Sequence, residues 1–478
     1  MKNDVMGIVY TSKDDLTLRE LTSQRAVAAI PVAGRYRIID FIISNMVNSN
    51  IHNVGIIAQK NYHSLMDHLG SGKDWDLHTR NNGLFILPPF LTRENGGEYA
   101  GLLDALRANF DYLRRSKQEY AILTDSDYVM NANLEPMIEQ HIKSGADITM
   151  MYQKVSTGLT DFSSSSKNNH VYMGVDANKN ITHLEINPNA ASYENFFLNV
   201  MMVKRTLLIY LVDQAISRGS HSLYADLLQP AIQAGSLKIM GYEENSYYRR
   251  IETIRGYFNF SMDLLKPEVR SALFGANPVF TKTRDSVPTI YRSGAKVKNS
   301  LIADGCVIDG EVENCVVFRG VRIGKGAKLK DCVIMQDSYI EDDVELENVI
   351  FDKEVTIRSH GRLIGQKQYP IVIGKTSRCK AKLIPGGVNH ENTVCRIGMR
   401  AVREDRRPCR RGWRAAQGAF EGWRGHPRHT AAVQGHRSEL ARSDGTPALL
   451  LCQPRLAPPV CRHPAAGLFR HYLLLRGQ

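Results

Sequence analysis

The chain is expected to fold as an α/β doubly wound domain followed by a parallel β-helix, and three observations carry that expectation. Residues 1 to about 265 alternate short apolar runs with stripes of helical spacing, the pattern of strands and helices taking turns. Between residues 295 and 357 aliphatic side chains recur about every six positions, at Ile323, Leu329, Ile334, Ile340, Leu346, Ile350 and Ile357, with Gly305, Gly310, Gly320, Gly324 and Gly326 at corners. Neither a helix nor an ordinary strand gives that period, whereas a coil of stacked six-residue sides does. After Lys382 the chain contains no lysine in 96 residues, and all periodicity stops.

Taken in order, Val5–Tyr10 reads as a first buried strand and residues 54–58 as a second. Residues 101–115 place Leu102, Leu103, Leu106, Phe110 and Leu113 on one helical stripe. A central strand follows at 120–123 and ends in Thr124, Asp125, Ser126 and Asp127. Carboxylates at the carboxyl end of such a strand stand where open α/β sheets bind ligands. Further strands are expected at 148–152, Val171–Val175 and Ile181–Ile186. Residues 266–294, punctuated by Pro288, read as a linker, 295–375 as the β-helix and 376–478 as a separate tail.

The formal charge of +12 looks like a nucleic-acid signal until it is divided along the chain. Sixteen arginines against six acidic residues in 383–478 supply +10 of it and leave +2 for everything before. A basic tail without a recognisable module or interleaved aromatics argues against nucleic acid as a partner. Its abrupt loss of lysine reads instead as a disordered segment or the product of a shifted reading frame. No run approaches the 18 apolar residues of a membrane span, and MKNDVMGIVY leads straight into a strand, so a cytoplasmic location without a membrane partner is expected. The eight cysteines begin at Cys306 and include no CxxC pair, which suggests neither a disulfide framework nor a zinc site.

The stretch 34–50, GRYRIIDFIISNMVNSN, mixes an apolar helical face with Asp40, Ser44, Asn45 and Asn48. Arg35 and Arg37 stand at its entrance, where guanidinium groups can hold phosphate by paired, charge-assisted hydrogen bonds. The alternative is a core helix with a solvated basic start. Trp75 is expected in the core, His63 and His68 are off one helical face and are not assigned to catalysis, and Cys306, Cys315 and Cys332 read as small inward residues of the coils.

RAVAAIPVAGRYRIIDFIISNMVNSNI, HSLMDHLGSGKDWDL, GEYAGLLDALRANFDYLRR and VENCVVFRGVRIGKGAKLKDCVIM, in this order, resemble bacterial glucose-1-phosphate adenylyltransferase, also called ADP-glucose pyrophosphorylase, over residues 5 to 375. The resemblance implies a Rossmann-like nucleotidyltransferase domain, a left-handed β-helix, a tetramer, and synthesis of ADP-glucose from ATP and glucose 1-phosphate for glycogen. It also implies nucleotide contacts at Tyr99 and Gly101. Attack of the sugar phosphate on the α-phosphate builds charge on phosphorus oxygens, so such a site needs amides, basic side chains and carboxylate-held Mg²⁺.

This chain departs from the family at those positions. Where the family has GGGxGTRLxxLT the chain has GIVYTSKDDLTLRELT, keeping only Gly7, and side chains at residues 9–13 would crowd phosphates. The lysine of RAKPAVPFGGKYRIIDF becomes Val27, the aspartate of SGDHIYK becomes Ser126 with Asp125 or Asp127 as the nearest metal ligands, and the lysine of EEKP becomes Asn187. YWRDVGT becomes YYRRIET, with Arg250 and Glu252 in place of an aspartate and a glycine. This pattern is similar to the non-catalytic GlgD-type subunit that assembles with a catalytic one; ATP or a sugar phosphate is the candidate effector for this chain. The expectation is therefore a regulatory subunit without a cofactor. The alternatives are an active adenylyltransferase using Mg²⁺ at Asp125 or Asp127, an acyltransferase whose nearest histidine would be His360, and a nucleic-acid binder resting on the tail.

Overall fold

The computed structural model describes residues 4–11, 17–79, 82–89, 99–155, 170–220, 222–275 and 277–379. The tail after 379 therefore lies outside the described residues, as do positions 12 and 13 of the degenerate glycine loop.

The first domain is built on a nine-stranded sheet. Its strands in chain order are β1 (Val5–Tyr10), β2 (Val54–Ile57), β3 (Leu84–Leu87), β4 (Tyr120–Asp125), β5 (Ile148–Lys154), β6 (Val171–Val175), β7 (Ile181–Ile186), β8 (Asn195–Lys204) and β9 (Ile239–Glu243). Strands β3, β2, β1 and β4 lie side by side and parallel, so both faces must be covered and the strands read as unbroken apolar runs. The long strand β8 pairs antiparallel with β4 and branches the sheet towards β5 and β6. Gly7, the residue kept from the glycine loop, has a packing reason to be there. A Cβ on it would stand 2.4 Å from the sulfur of Met46, where helix α1 (Ile38–Asn48) lies on β1.

The helical stripe expected over 101–115 is two helices, Leu102–Ala108 and Phe110–Arg115. Asn109 divides them: its Nδ2 donates to the carbonyl of Ala105 at 2.8 Å, a bond back into the preceding turn of the kind that bends helices. The interval 266–294 holds a helix, Pro267–Phe274, and already reaches the first β-helix strand at Ile290–Tyr291.

The second domain is a left-handed parallel β-helix with three faces. Left-handed backbone recurs at its corners in three series: Asn299, Asn314, Asp331 and Asn348; Gly305, Gly320, Asp337 and Glu354; and Gly326, Asp343 and His360. Glycine, asparagine and aspartate tolerate that conformation, which is why the first series holds no glycine and the other two only Gly305, Gly320 and Gly326. One face is apolar inside and out. Ile302, Val317, Ile334 and Phe351 point into the coil core, whereas Leu301, Val316, Val333 and Ile350 join the cluster formed with Val27, Ile30, Phe41, Tyr257 and Phe260 of the first domain. The junction is also pinned by a buried, bidentate ion pair from Arg25 to Asp352, at 2.8 and 3.0 Å.

Candidate functional site

Strands β1 and β4 end together, with Tyr10 opposite Asp125, and the candidate site lies at these carboxyl ends. A small sheet of Tyr128–Met130 and Tyr248–Arg250 folds over them and sets Arg250 opposite Tyr128. The Ile251 amide then bonds to the Asp127 carbonyl at 2.7 Å. Two positions 123 residues apart, each a departure from the family, are thereby brought into contact.

The Arg250 guanidinium donates from Nε to Asp127 Oδ2 at 2.9 Å and stands 3.0 Å from Glu252 Oε1. All three side chains are at least nine-tenths buried. Glu252 is held from its other side by His170 Nε2 at 2.8 Å, and its carbonyl accepts from the Thr17 hydroxyl. Burial alone would push Arg250 towards losing its proton, but Asp127, Glu252, Tyr248 and Asp125 more than reverse this, and the guanidinium is held firmly charged. Asp125 is the half-buried member of the group. Burial first, and the charge of Asp127 second, push its carboxyl up to about 7. Asp127 is likewise raised, by burial, against the pull of Arg250.

Mg²⁺ does not fit this set. The oxygen of Asp127 that faces the cluster is occupied by a fixed positive charge, which would repel a divalent ion within a few ångströms in a site of low polarity. The remaining oxygen, Oδ1, is buried without a partner, as is the hydroxyl of Ser126 between the two aspartates. Among the described residues no cluster of three or more histidine, cysteine or acidic side chains is arranged to hold a metal. Of the two expected metal ligands, Asp127 has the facing oxygen taken by Arg250, whereas Asp125 stands outside these ion pairs.

The positions that depart from the family's phosphate-binding blocks have structural partners of their own. After β1, the Thr11 amide is spent on the Ile57 carbonyl at 3.0 Å and its hydroxyl on the Gln59 amide at 3.1 Å. Val27 is 3% exposed and packs in the cluster between the domains. Asn187 closes a two-way bond with the His170 backbone, both at 2.8 Å, in a left-handed conformation.

The stretch 34–50 is held by structural partners. Arg35 reaches Asp304 of the β-helix at 3.0 Å, and Arg37 donates to the carbonyl of Ser64 at 2.6 Å. Burial brings the Arg37 guanidinium down to about 10. Asp40 caps α1 by accepting from the Arg37 amide at 2.9 Å, and its other oxygen meets His68 at 2.5 Å. Asn45 bridges the Met130 carbonyl and the Ala132 amide, while Ser44 accepts from the Phe280 amide. Tyr99 is fully buried, with its hydroxyl 3.3 Å from Asn109, and Gly101 starts the helix Leu102–Ala108 in extended backbone that any residue adopts. Trp75 and the three coil cysteines are buried as expected.

Sequence reading missed His170, Thr17 and Tyr248 as members of the cluster. A usable signal existed for Arg250: a cation gained at one departing position and an acid gained at another, Asp127, are a pair that can face each other. A concavity of about 750 Å³, lined by Asn53, Phe85, Tyr112 and Gln118, lies at the amino ends of the strands, opposite this site.

Residues 17–264 match the family described as Nucleotidyl transferase, and residues 287–369 match the GlmU-like, C-terminal hexapeptide family. The chain is 35% identical over 377 residues to the glycogen biosynthesis protein GlgD of Bacillus subtilis, covering 78% of this chain and 96% of that protein. A GlgD protein of Geobacillus stearothermophilus is 35% identical over 68% of this chain and 83% of its own length. The glucose-1-phosphate adenylyltransferase of Clostridium perfringens strain 13 is 28% identical, over 71% of this chain and 85% of its own. No helix among the described residues is long and apolar enough to cross a membrane.

Proposed function

Since the chain belongs to the glucose-1-phosphate adenylyltransferase family, among its GlgD members, we propose that it is a regulatory subunit with no catalysis of its own, working beside a catalytic adenylyltransferase chain in ADP-glucose synthesis for glycogen. The observation that carries this reading is the Arg250 guanidinium on Asp127 and Glu252. Phosphoryl transfer gains its rate from positive charge aimed at the phosphate oxygens. Here the nearest cation is neutralised by two carboxylates, a third carboxylate stands beside it, and Val27 and Asn187 supply no charge. Such a centre repels a triphosphate rather than drawing charge from it.

A subunit without chemistry acts by differential affinity. It favours one state of its partner over another, and any effector that prefers the same state, ATP or a sugar phosphate among them, is coupled to it reciprocally. The competing reading, an active adenylyltransferase, has Asp125 in its favour, the one carboxylate of the group outside the Arg250 ion pairs. One assay separates them. With ATP, Mg²⁺ and glucose 1-phosphate the purified chain should release no pyrophosphate above background, yet should change the KM or effector response of the catalytic chain when added to it. Robust turnover by this chain in isolation would refute the proposal.

A further inference from the structure

Gly55 in strand β2 leaves room that any other residue would fill, since a Cβ there would stand 2.5 Å from the ring of Tyr112 on the helix Phe110–Arg115. The ring uses that room, and its hydroxyl donates to Asn53 Oδ1 at 2.9 Å. Burial pushes this phenol above the ordinary tyrosine range, so it stays a donor. Beside it β3 is the outer strand of the sheet among the described residues, and Phe85 of β3 is 41% exposed, with its ring 5.3 Å from that of Tyr112. These two rings form the apolar wall of the concavity at the amino ends of the strands, whose volume of about 750 Å³ is that of a small-molecule site.

The polar wall is a chain of carboxamides. Asn53 Nδ2 donates to Gln118 Oε1 at 2.8 Å, and Gln118 Nε2 donates to Asn82 Oδ1 at 3.3 Å. Asn53 and Gln118 are buried, and these bonds fix which way each amide points. The chain ends on a donor, Asn82 Nδ2. Asn109 spends its own Nδ2 on the Ala105 carbonyl and the Tyr99 hydroxyl and keeps an acceptor, Oδ1. Neither of these end atoms has a hydrogen-bond partner among the described residues. Arg115 and Lys117 line the same concavity against one carboxylate, Asp111, and among the described residues neither cation enters an ion pair.

We infer that this concavity binds a small heteroaromatic monoanion, a flat ring with an amide-type edge stacked on Phe85 and a carboxylate beside Arg115 and Lys117. Each part of the ligand answers a group left open. An –NH–C(=O)– edge accepts from Asn82 Nδ2 and donates to Asn109 Oδ1. A flat ring covers the exposed face of Phe85, as bases stack on aromatic side chains. An aliphatic acid would leave that face unstacked, and a neutral ring would leave both cations without a partner. The inference goes beyond the proposed subunit role and does not depend on it, because the concavity lies at the opposite end of the strands from Asp125 and Arg250.

The probe is orotate, a pyrimidine with amide edges and one carboxylate, titrated into the full-length chain by calorimetry at low salt. Uracil supplies the ring without the charge, and cyclohexanecarboxylate the charge without a flat ring. Orotate should bind, and each of the other two about tenfold or more weakly. Phe85→Ala, at an exposed position of the outer strand, should weaken orotate about tenfold without moving the thermal transition. Arg115→Gln/Lys117→Gln should weaken orotate to the level of uracil and leave uracil itself unchanged. A wild-type chain that binds no orotate at millimolar concentration, or binds cyclohexanecarboxylate as tightly, would overturn the inference. So would orotate binding that is the same in wild type and in both variants.

Discussion

Replacing Arg250 by methionine should be among the most damaging single changes in the first domain, and its cost should depend on pH. The side chains of Arg250, Asp127 and Glu252 are 6%, 3% and 10% exposed. Two unit charges 4 Å apart attract by about 4 kcal/mol at an effective dielectric constant of 20. Much of that is offset by desolvation, but removing one partner leaves the desolvation in place, and breaking a buried pair costs roughly 3–5 kcal/mol. Methionine keeps most of the apolar stem, so little of the loss comes from packing. At about 2 °C per kcal/mol for a domain of this size, the first thermal transition should fall by roughly 6–10 °C at pH 8. The pH dependence follows from linkage. Without the guanidinium, Asp127, already raised by burial, binds a proton more readily in the folded chain than in the unfolded one. The folded state then holds more protons, and stability falls as pH rises. The deficit should be largest above pH 7 and shrink towards pH 5. Adding Asp127→Asn should recover part of it, with a coupling energy of about 1–3 kcal/mol in a double-mutant cycle followed by denaturant and heat. A loss below about 1 kcal/mol that is flat from pH 5 to pH 8 would show that Arg250 is not the counter-ion of this site.

Other substitutions probe the remaining parts. Asp125, raised to about 7, holds its proton longer folded than unfolded, so wild-type stability should decline from about pH 4 to pH 7; Asp125→Asn should remove that slope and be the more stable form at pH 8 by thermal shift. Lys353, brought down to about 8 chiefly by burial, binds fewer protons folded than unfolded, so it contributes a rise in stability between about pH 8 and the ordinary lysine range; Lys353→Met should abolish that rise and stabilise the chain at pH 7. Asp352→Ala strands Arg25 in the interdomain junction and should cost about 3–5 kcal/mol, whereas the joint Arg25→Met/Asp352→Leu change should cost markedly less when both are unfolded in urea. Val27→Lys, which reinstates the family's lysine, should lower stability by several kcal/mol because it buries an ammonium group among apolar side chains, and should yield no pyrophosphate in the adenylyltransferase assay.

The main architecture was legible because its signals are local and periodic. The parallel strands β1, β2 and β4 are apolar runs flanked by polar turns, and the β-helix repeats its aliphatic positions coil after coil. Elements whose cause is long-range were not legible. Strand β8, NFFLNVMMVK, is apolar at nearly every position because it lies in the middle of the sheet, and such a run carries no period that separates strand from helix. The break at Asn109 depends on a side chain turning back onto the Ala105 carbonyl. The apolar outer positions Leu301, Val316, Val333 and Ile350 make sense only once the first domain is seen to cover them.

The site was legible as a set of losses and illegible as a gain. Val27, Ser126 and Asn187 each stand out against the family pattern, and each would be compatible with an empty version of the same centre. The structure gives each departing position a different role. Val27 serves the interdomain core, Asn187 a backbone bond to His170, and Thr11 and Gln59 close the end of β1. Arg250 replaces the charge itself. A buried carboxylate without a counter-ion is costly, and the Arg250 guanidinium gives Asp127 a permanent one. Guanidinium meets that need at every physiological pH without an ion to bind or lose. The replacement also keeps this end of the sheet rigid, since Arg250 lies in the small sheet that covers it and Glu252 continues the connection to His170 and Thr17. The cluster around Arg250 is thus part of the fold itself, and this is why reversing a single family substitution should damage the protein before it yields any activity.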